Sequence, residues 1–277
     1  EICACLVGSE MCIRDRFLFL LVVFTSKAQD NRVSGLNSRQ FTKYWKVESE
    51  SPDYKVTFQG DTAEIVSPKG LTLWRKEKMS GKVTIEYDAC VVVESDGDRL
   101  SDLNCFWMAS DPQYPDNLWK REKWRSGIFL NCYSLQLYYL GYGGNHNSTT
   151  RFRRYDGDES GITNPKARPA ILKEYTDAGH LLKPNHWYHI KITNENNRVS
   201  YYIDGERLVD FRDAEPLREG WFGFRTTLSR TRITNFSYEC SSQEATAVPL
   251  QWIGETPRQD KVCLLYTSPS PRDMRRS

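Results

Sequence analysis

The sequence predicts an all-β protein, an antiparallel β-sandwich of jelly-roll type, on three observations. Apolar and polar residues alternate with a period of two through much of the chain. The strand-like runs are joined by short turns, of which Asp204-Gly205 is the sharpest. Helical periodicity is sparse. Many short-turned strands, each with one polar face, bury their apolar faces by packing as two sheets.

Taken in order, the first clear element has Val83, Ile85, Tyr87, Ala89, Val91 and Val93 alternating with Lys82, Thr84, Glu86, Asp88 and Cys90, a long half-buried strand. Next, the aromatic run at Tyr138–Tyr139 leads through the Gly/Asn turn Gly141–Asn147 into a strand carrying Arg151, Arg153 and Arg154. Alternation sends Phe152 and Arg154 to one face of that strand, and Arg151, Arg153 and Tyr155 to the other. A short helical piece is expected near Ala170–Tyr175. Tyr188, Ile190 and Ile192 then alternate with Trp187, His189, Lys191 and Thr193. The hairpin Asn197–Gly205 leads into Glu206–Phe211, and two last strands are expected at Trp221–Thr227 and Arg232–Glu239.

The chain has 277 residues, with 38 Lys and Arg against 36 Asp and Glu. Residues 1–16 and 262–277 lack periodicity and resemble translated sequencing-adapter read-through, so they are set aside from fold reasoning. They hold Cys3, Cys5, Cys12 and Cys263; Cys90, Cys105, Cys132 and Cys240 remain. Removing them leaves 33 cations and 32 anions in residues 17–261, so charge balance gives no reason to expect a nucleic acid or a membrane surface as partner. The apolar run Phe17–Phe24 is too short to span a bilayer but fits a signal-peptide core, with Ser26 and Ala28 as the small residues before cleavage. Residues 17–28 are thus expected to be a truncated signal peptide and the protein to be secreted or periplasmic, without a membrane span once processed. A monomeric sandwich domain over 38–241 and a tail over 242–261 complete the expected organisation.

Guanidinium, phenol and amide groups on one sheet face suit an anionic, polyhydroxylated ligand. Arg grips a carboxylate with two parallel hydrogen bonds, Tyr stacks on a sugar ring, and Asn reads hydroxyls. Phe222 and Phe224 read as core, which sends Trp221, Gly223 and Arg225 to the face shared with Arg151 and Arg153. His146 and Tyr139 are the candidate acid and base. Asp96, Asp98 and Asp102 line an acidic turn beside Asn104. Its spacing allows an oxygen-ligand calcium site but lacks the Gly and Glu of an EF-hand, so no cofactor is assigned and calcium is kept as an alternative. The four remaining cysteines show no C-x-x-C spacing, which argues against zinc or thioredoxin chemistry and leaves their disulfide state open.

The order of the closing strands, "NHWYHIKI", "VSYYIDGE", "GWFGFRTT" and "RITNFSY", is similar to the second half of concanavalin-like glucanase and lectin sandwiches. The segments "SDLNCFWMASDP", "GNHNSTTRFRRYDG" and "GFRTT" resemble a secreted bacterial family catalogued as a domain of unknown function, related to polysaccharide lyases and keto-glycoside hydrolases. The resemblance covers about residues 40–240. It implies a concanavalin-like jelly roll acting on plant or algal glycans and brings no established catalytic residue. The Glu-x-Asp-x-x-Glu pattern of hydrolases on this architecture is incomplete here, since Glu86 and Asp88 have no Glu three residues on.

The function expected from the sequence is therefore β-elimination at a uronate of an acidic glycan. Arg151, Arg153 and Arg225 bind the carboxylate, and Asn145 or Asn104 polarises it. His146 or Tyr139 moves the proton, and Trp221 and Tyr155 contact the sugar. Hydrolysis on the same fold and non-catalytic, lectin-like binding are the alternatives.

Overall fold

A computed structural model describes residues 33–241. The expectations for residues 1–16, 17–28, 242–261 and 262–277 lie outside them. The described body begins five residues before the expected boundary at 38, because Val33–Ser34 already pairs with the last strand.

Fourteen strands are numbered in chain order: β1 Val33–Ser34, β2 Trp45–Ser49, β3 Lys55–Gln59, β4 Thr62–Arg75, β5 Met79–Ser80, β6 Lys82–Val91, β7 Leu103–Ser110, β8 Gln136–Gly143, β9 Thr149–Asp156, β10 Lys173–Tyr175, β11 Tyr188–Glu195, β12 Arg198–Ile203, β13 Glu206–Arg212 and β14 Glu219–Ser241. All named pairings are antiparallel. A front sheet runs β10-β9-β8-β7-β14, continued by the second half of β4 and by β2. A back sheet runs β13-β12-β11-β6-β14, continued by the first half of β4 and by β3. β4 and β14 thus pass from one sheet into the other. Their shared ladder shifts register between Thr227 and Ser229, where Leu228 takes a left-handed φ of 51°.

The expected period of two is present. β6 buries Val83, Ile85, Tyr87, Ala89 and Val91, and β11 buries Tyr188, Ile190 and Ile192. These meet Trp107, Tyr138, Leu140, Phe152, Phe222 and Phe224 of the front sheet in one core between the layers. Each large apolar side chain so buried contributes ~1.5–3 kcal/mol relative to exposure. Asp204 (φ 50°) and Gly205 (φ 84°) form the two-residue turn between β12 and β13.

Three local expectations are corrected. Trp221–Thr227 and Arg232–Glu239 belong to one continuous strand, because the bulges at Leu228 and Asn235 bend β14 without ending its pairing. The piece near Ala170–Tyr175 is extended, since Lys173–Tyr175 pairs with the free edge of β9. Val93 lies beyond the end of β6. Cys90, Cys105, Cys132 and Cys240 are all free thiols. No helix among the described residues is long and apolar enough to cross a membrane.

Candidate functional site

One transverse row of the front sheet forms the floor of the site. Arg225 of β14 stands opposite Asn104 of β7, Asn104 opposite Gly141 of β8, and Gly141 opposite Arg151 of β9. Directly opposed residues project to the same face, here the outer one, away from the core. At about 4.8 Å per strand the row sets Arg225 and Arg151 about 14 Å apart, with Asn104 and Gly141 between them. A pocket of about 380 Å³ opens over this row.

Gly141 is what allows Tyr139 into the pocket. A Cβ at position 141 would stand 2.3 Å from the Tyr139 hydroxyl, so the phenol lies along the strand over a residue without a side chain. Tyr139 is almost fully buried, and its hydroxyl makes no hydrogen bond to the described residues. Burial pushes its pKa well above the ordinary tyrosine value and nearby Asp102 adds to the rise, against opposition from Arg225 and Arg153. It holds its proton at neutral pH.

Four arginines and two carboxylates, Glu50 and Asp102, border the space. Arg225 is 3% exposed; it donates to the Gly127 carbonyl and to Thr72 Oγ1 and lies over the Phe129 ring. Arg153 donates to the Pro169 carbonyl at 2.7 Å. Among the described residues neither Arg225 nor Arg153 forms an ion pair. Arg151 is paired with Glu174 of β10. Arg99 is paired with Asp102, donates to the Thr227 carbonyl at 2.8 Å, and has its Nε 3.5 Å from His146 Nδ1. Asn104 Nδ2 donates to Asp102, which leaves its buried Oδ1 without a partner.

The turn Gly144–Asn147 brings in Asn145 and His146. Asn145, His146 and Asn147 all have left-handed φ, between 51° and 58°. Such conformations cost non-glycine residues ~1–2 kcal/mol each. Asn147 holds the turn in place: its Nδ2 donates to the Leu182 carbonyl (2.9 Å) and its Oδ1 accepts from the Leu182 amide (2.8 Å). Asn145 Nδ2 donates to Thr149 Oγ1.

The opposite wall comes from the segment between β7 and β8, residues 111–135. It covers Trp74, Phe106, Tyr155 and Trp221 with Leu118, Cys132 and Leu135, making a second, smaller apolar cluster on the outer face. It also turns Phe129 and Tyr133 toward the pocket. Charged groups anchor it. The fully buried Arg125 donates to Glu48 (3.0 Å) and to the Leu118 carbonyl, and Arg121 forks onto Asp111. Burial raises the Glu48 pKa, a rise that the Arg125 guanidinium opposes.

The structure gathers seven of the expected residues around one pocket: Asn104, Tyr139, Asn145, His146, Arg151, Arg153 and Arg225. Two are elsewhere. Trp221 has the expected parity but is 4% exposed, donates its indole N–H to the Lys76 carbonyl and packs edge-on against Trp119. Tyr155 is completely buried under Tyr133 and Tyr139. Neither is placed to touch a sugar. The acidic turn also divides: Asp98 accepts from the amides of Glu94 and Ser95, and Asp102 faces Arg99. With Asp96 they form no cluster of three metal-holding groups among the described residues. Glu86 and Asp88 lie on the outer face of the back sheet, beside Lys191 and His189.

Arg99, Glu50, Phe129 and Tyr133 are pocket residues the sequence reading did not select, and Asp102, read there as a calcium candidate, borders the pocket as the partner of Arg99. The aromatic pair Phe129 and Tyr133, in a stretch without strand alternation, was a usable signal for a wall built from a connection.

Residues 65–236 match the family described as Domain of unknown function (DUF6250), and the chain belongs to it. No curated protein sequence matches the chain. Among solved structures it is similar to a protein of unknown function with a galectin-like fold from Bacillus subtilis, at 16% identity and a TM-score of 0.60, covering 75% of this chain and 94% of that one. It is also similar to the VIP36 exoplasmic/lumenal domain in a Ca2+/Man3GlcNAc-bound form, at 9% identity and a TM-score of 0.51, over 78% and 91% of the two chains. The metal-free carbohydrate recognition domain of Emp46p matches at 11% identity and 0.51, over 76% and 94%. These likenesses establish the sandwich fold.

Proposed function

We propose that the protein binds an acidic carbohydrate in the pocket over β7, β8, β9 and β14. The observation that carries this reading is the pair Arg153 and Arg225, two guanidinium groups that border one space and form no ion pair among the described residues. A uronate carboxylate satisfies them with charge-assisted, two-pronged hydrogen bonds. Asp102, Glu50 and Thr149 are acceptors suited to ring hydroxyls, and Phe129 and Tyr133 offer rings for a sugar face. Sandwiches of the same architecture include the VIP36 domain seen with Man3GlcNAc.

A second reading, elimination at that uronate, is favoured by Tyr139. Its hydroxyl makes no hydrogen bond among the described residues, borders the pocket and keeps its proton at neutral pH, which suits it to protonate a leaving glycosidic oxygen. His146 supplies an exposed imidazole at the rim to take the α-proton, while Arg153 and Arg225 stabilise the enolate.

Both readings are tested by incubating the full chain with a panel of uronate-containing and neutral oligosaccharides. Binding is followed by calorimetry, and product by the ultraviolet absorbance of an unsaturated uronate and by new reducing ends. Selective binding of acidic sugars without product supports the binding reading alone, and unsaturated product adds the lyase. New reducing ends without that absorbance would replace the lyase with a hydrolase. Equal or absent binding across the panel would overturn the proposal.

A further inference from the structure

We infer that the pocket receives the end of an acidic glycan chain rather than an internal stretch of one. The inference rests on the acidic-carbohydrate reading above and concerns how such a ligand enters.

The row Arg225-Asn104-Gly141-Arg151 would, on a bare sheet, continue across β4 through Thr72, which stands opposite Arg225, to the edge of the sheet. That path is closed by main chain. Gly127, from the segment between β7 and β8, packs where Glu50, just past the end of β2, meets Gly70 of β4. A Cβ at Gly127 would lie 2.7 Å from the Glu50 amide and from the Gly70 carbonyl, and a Cβ at Gly70 would lie 2.4 Å from the Gly127 carbonyl. Two backbones in such contact leave no channel for a sugar ring. Arg225 sits at this blind end, with its guanidinium against the Gly127 carbonyl. The Glu50 carboxylate, fixed to the Gly70 amide, stands beside it as a charge that repels any further uronate.

The two ends along the strand direction are also occupied. The aromatic wall of Phe129 and Tyr133 stands at one, and Arg99 spans from Asp102 to the Thr227 carbonyl beside His146 at the other. What remains is the side over Arg151 and Arg153, whose side chains are only partly buried and which lead to the three-residue edge strand β10. A ligand laid along this row meets a closed end at Arg225 and is held there by its terminus. Arg225 meets the terminal carboxylate, and Arg153 and Arg151 meet the sugars that follow.

The experiment is calorimetric titration of the full chain with a uronate disaccharide, a hexasaccharide and the parent polymer, each also prepared with the reducing or the non-reducing end blocked by a bulky group. Affinity per chain end is expected to change little from hexasaccharide to polymer. Blocking one of the two ends is expected to weaken binding by at least about tenfold, the equivalent of one lost charge-assisted contact. Affinity that grows with the number of internal residues and ignores both blocks would overturn the inference while leaving the acidic-carbohydrate reading intact. Failure of every unblocked acid to bind would overturn both.

Discussion

Along β7, β8 and β14, residues of the same outward parity meet two different environments. Phe106, Tyr139 and Trp221 lie in an apolar cluster under the segment 111–135, whereas Asn104, Gly141 and Arg225, two to four residues further along, floor an open polar pocket. The strands do not distinguish the two halves. The connection laid over one of them does, by burying aromatic area there and meeting the arginine row only at its Arg225 end. Parity assigns a residue to a face; the path of a connection decides whether that face is core or site.

The comparison is broken hardest by removing what pins the connection down. Arg125→Ala leaves the buried Glu48 carboxyl without its guanidinium partner, which is expected to cost ~3–5 kcal/mol in urea unfolding. Trp221→Ala, which empties the covered half, is expected to cost ~3–5 kcal/mol as well, with little change in ligand affinity once corrected for folded fraction. A Trp221→Ala variant that kept its stability and lost its ligand would place Trp221 in the site after all.

On the open half the effects reverse. Arg153→Ala is expected to leave the unfolding curve nearly unchanged and to weaken binding of an acidic oligosaccharide by ~1.5–3 kcal/mol in titration calorimetry. Gly141→Ala tests the boundary between the halves. Its methyl group collides with the Tyr139 hydroxyl, so ~1–3 kcal/mol of overpacking strain and a displaced phenol are expected, read as lower stability and weaker binding together.

The smallest effect concerns His180, on the loop whose Leu182 holds the His146 turn. Burial alone would lower its pKa, but hydrogen bonds and charge from Asp177 and Glu206 outweigh this and raise it above 6.5. A raised folded-state value means the contribution is fully present below 6.5 and is lost as pH rises through that raised value. The melting temperature is therefore expected to fall slightly with pH in that window. His180→Gln should flatten the dependence, and an unchanged slope in the variant would remove His180 as its source.

The fold was legible because the two-residue period is a local property of each strand. β6, β11 and the Asp204-Gly205 hairpin are readable from their own residues. The unity of β14 was not, since the left-handed residues Leu228 and Asn235 that bend it resemble strand ends in sequence. In the site, Arg151, Arg153 and Arg225 could be grouped by alternation and strand order, and His146 and Asn145 by their neighbourhood. Trp221 and Tyr155 lie on the expected face but under cover, away from the pocket, because that cover, Trp119 and Tyr133, comes from a segment without periodicity. Arg99 reaches the pocket through the ion pair with Asp102 and the Thr227 carbonyl, a contact 128 residues away that no local pattern encodes.

The central claim is that unpaired guanidinium groups select a carboxylate-bearing sugar. It is tested most directly by titrating the full chain with a uronic-acid trisaccharide and with the same trisaccharide after reduction of its carboxylates to alcohols. The account predicts that the acid binds at least about tenfold more tightly, that this advantage shrinks as salt is added, and that it disappears when Arg153 and Arg225 are both replaced by Gln. Equal affinity for the acid and its neutral counterpart, unchanged by salt, would contradict it.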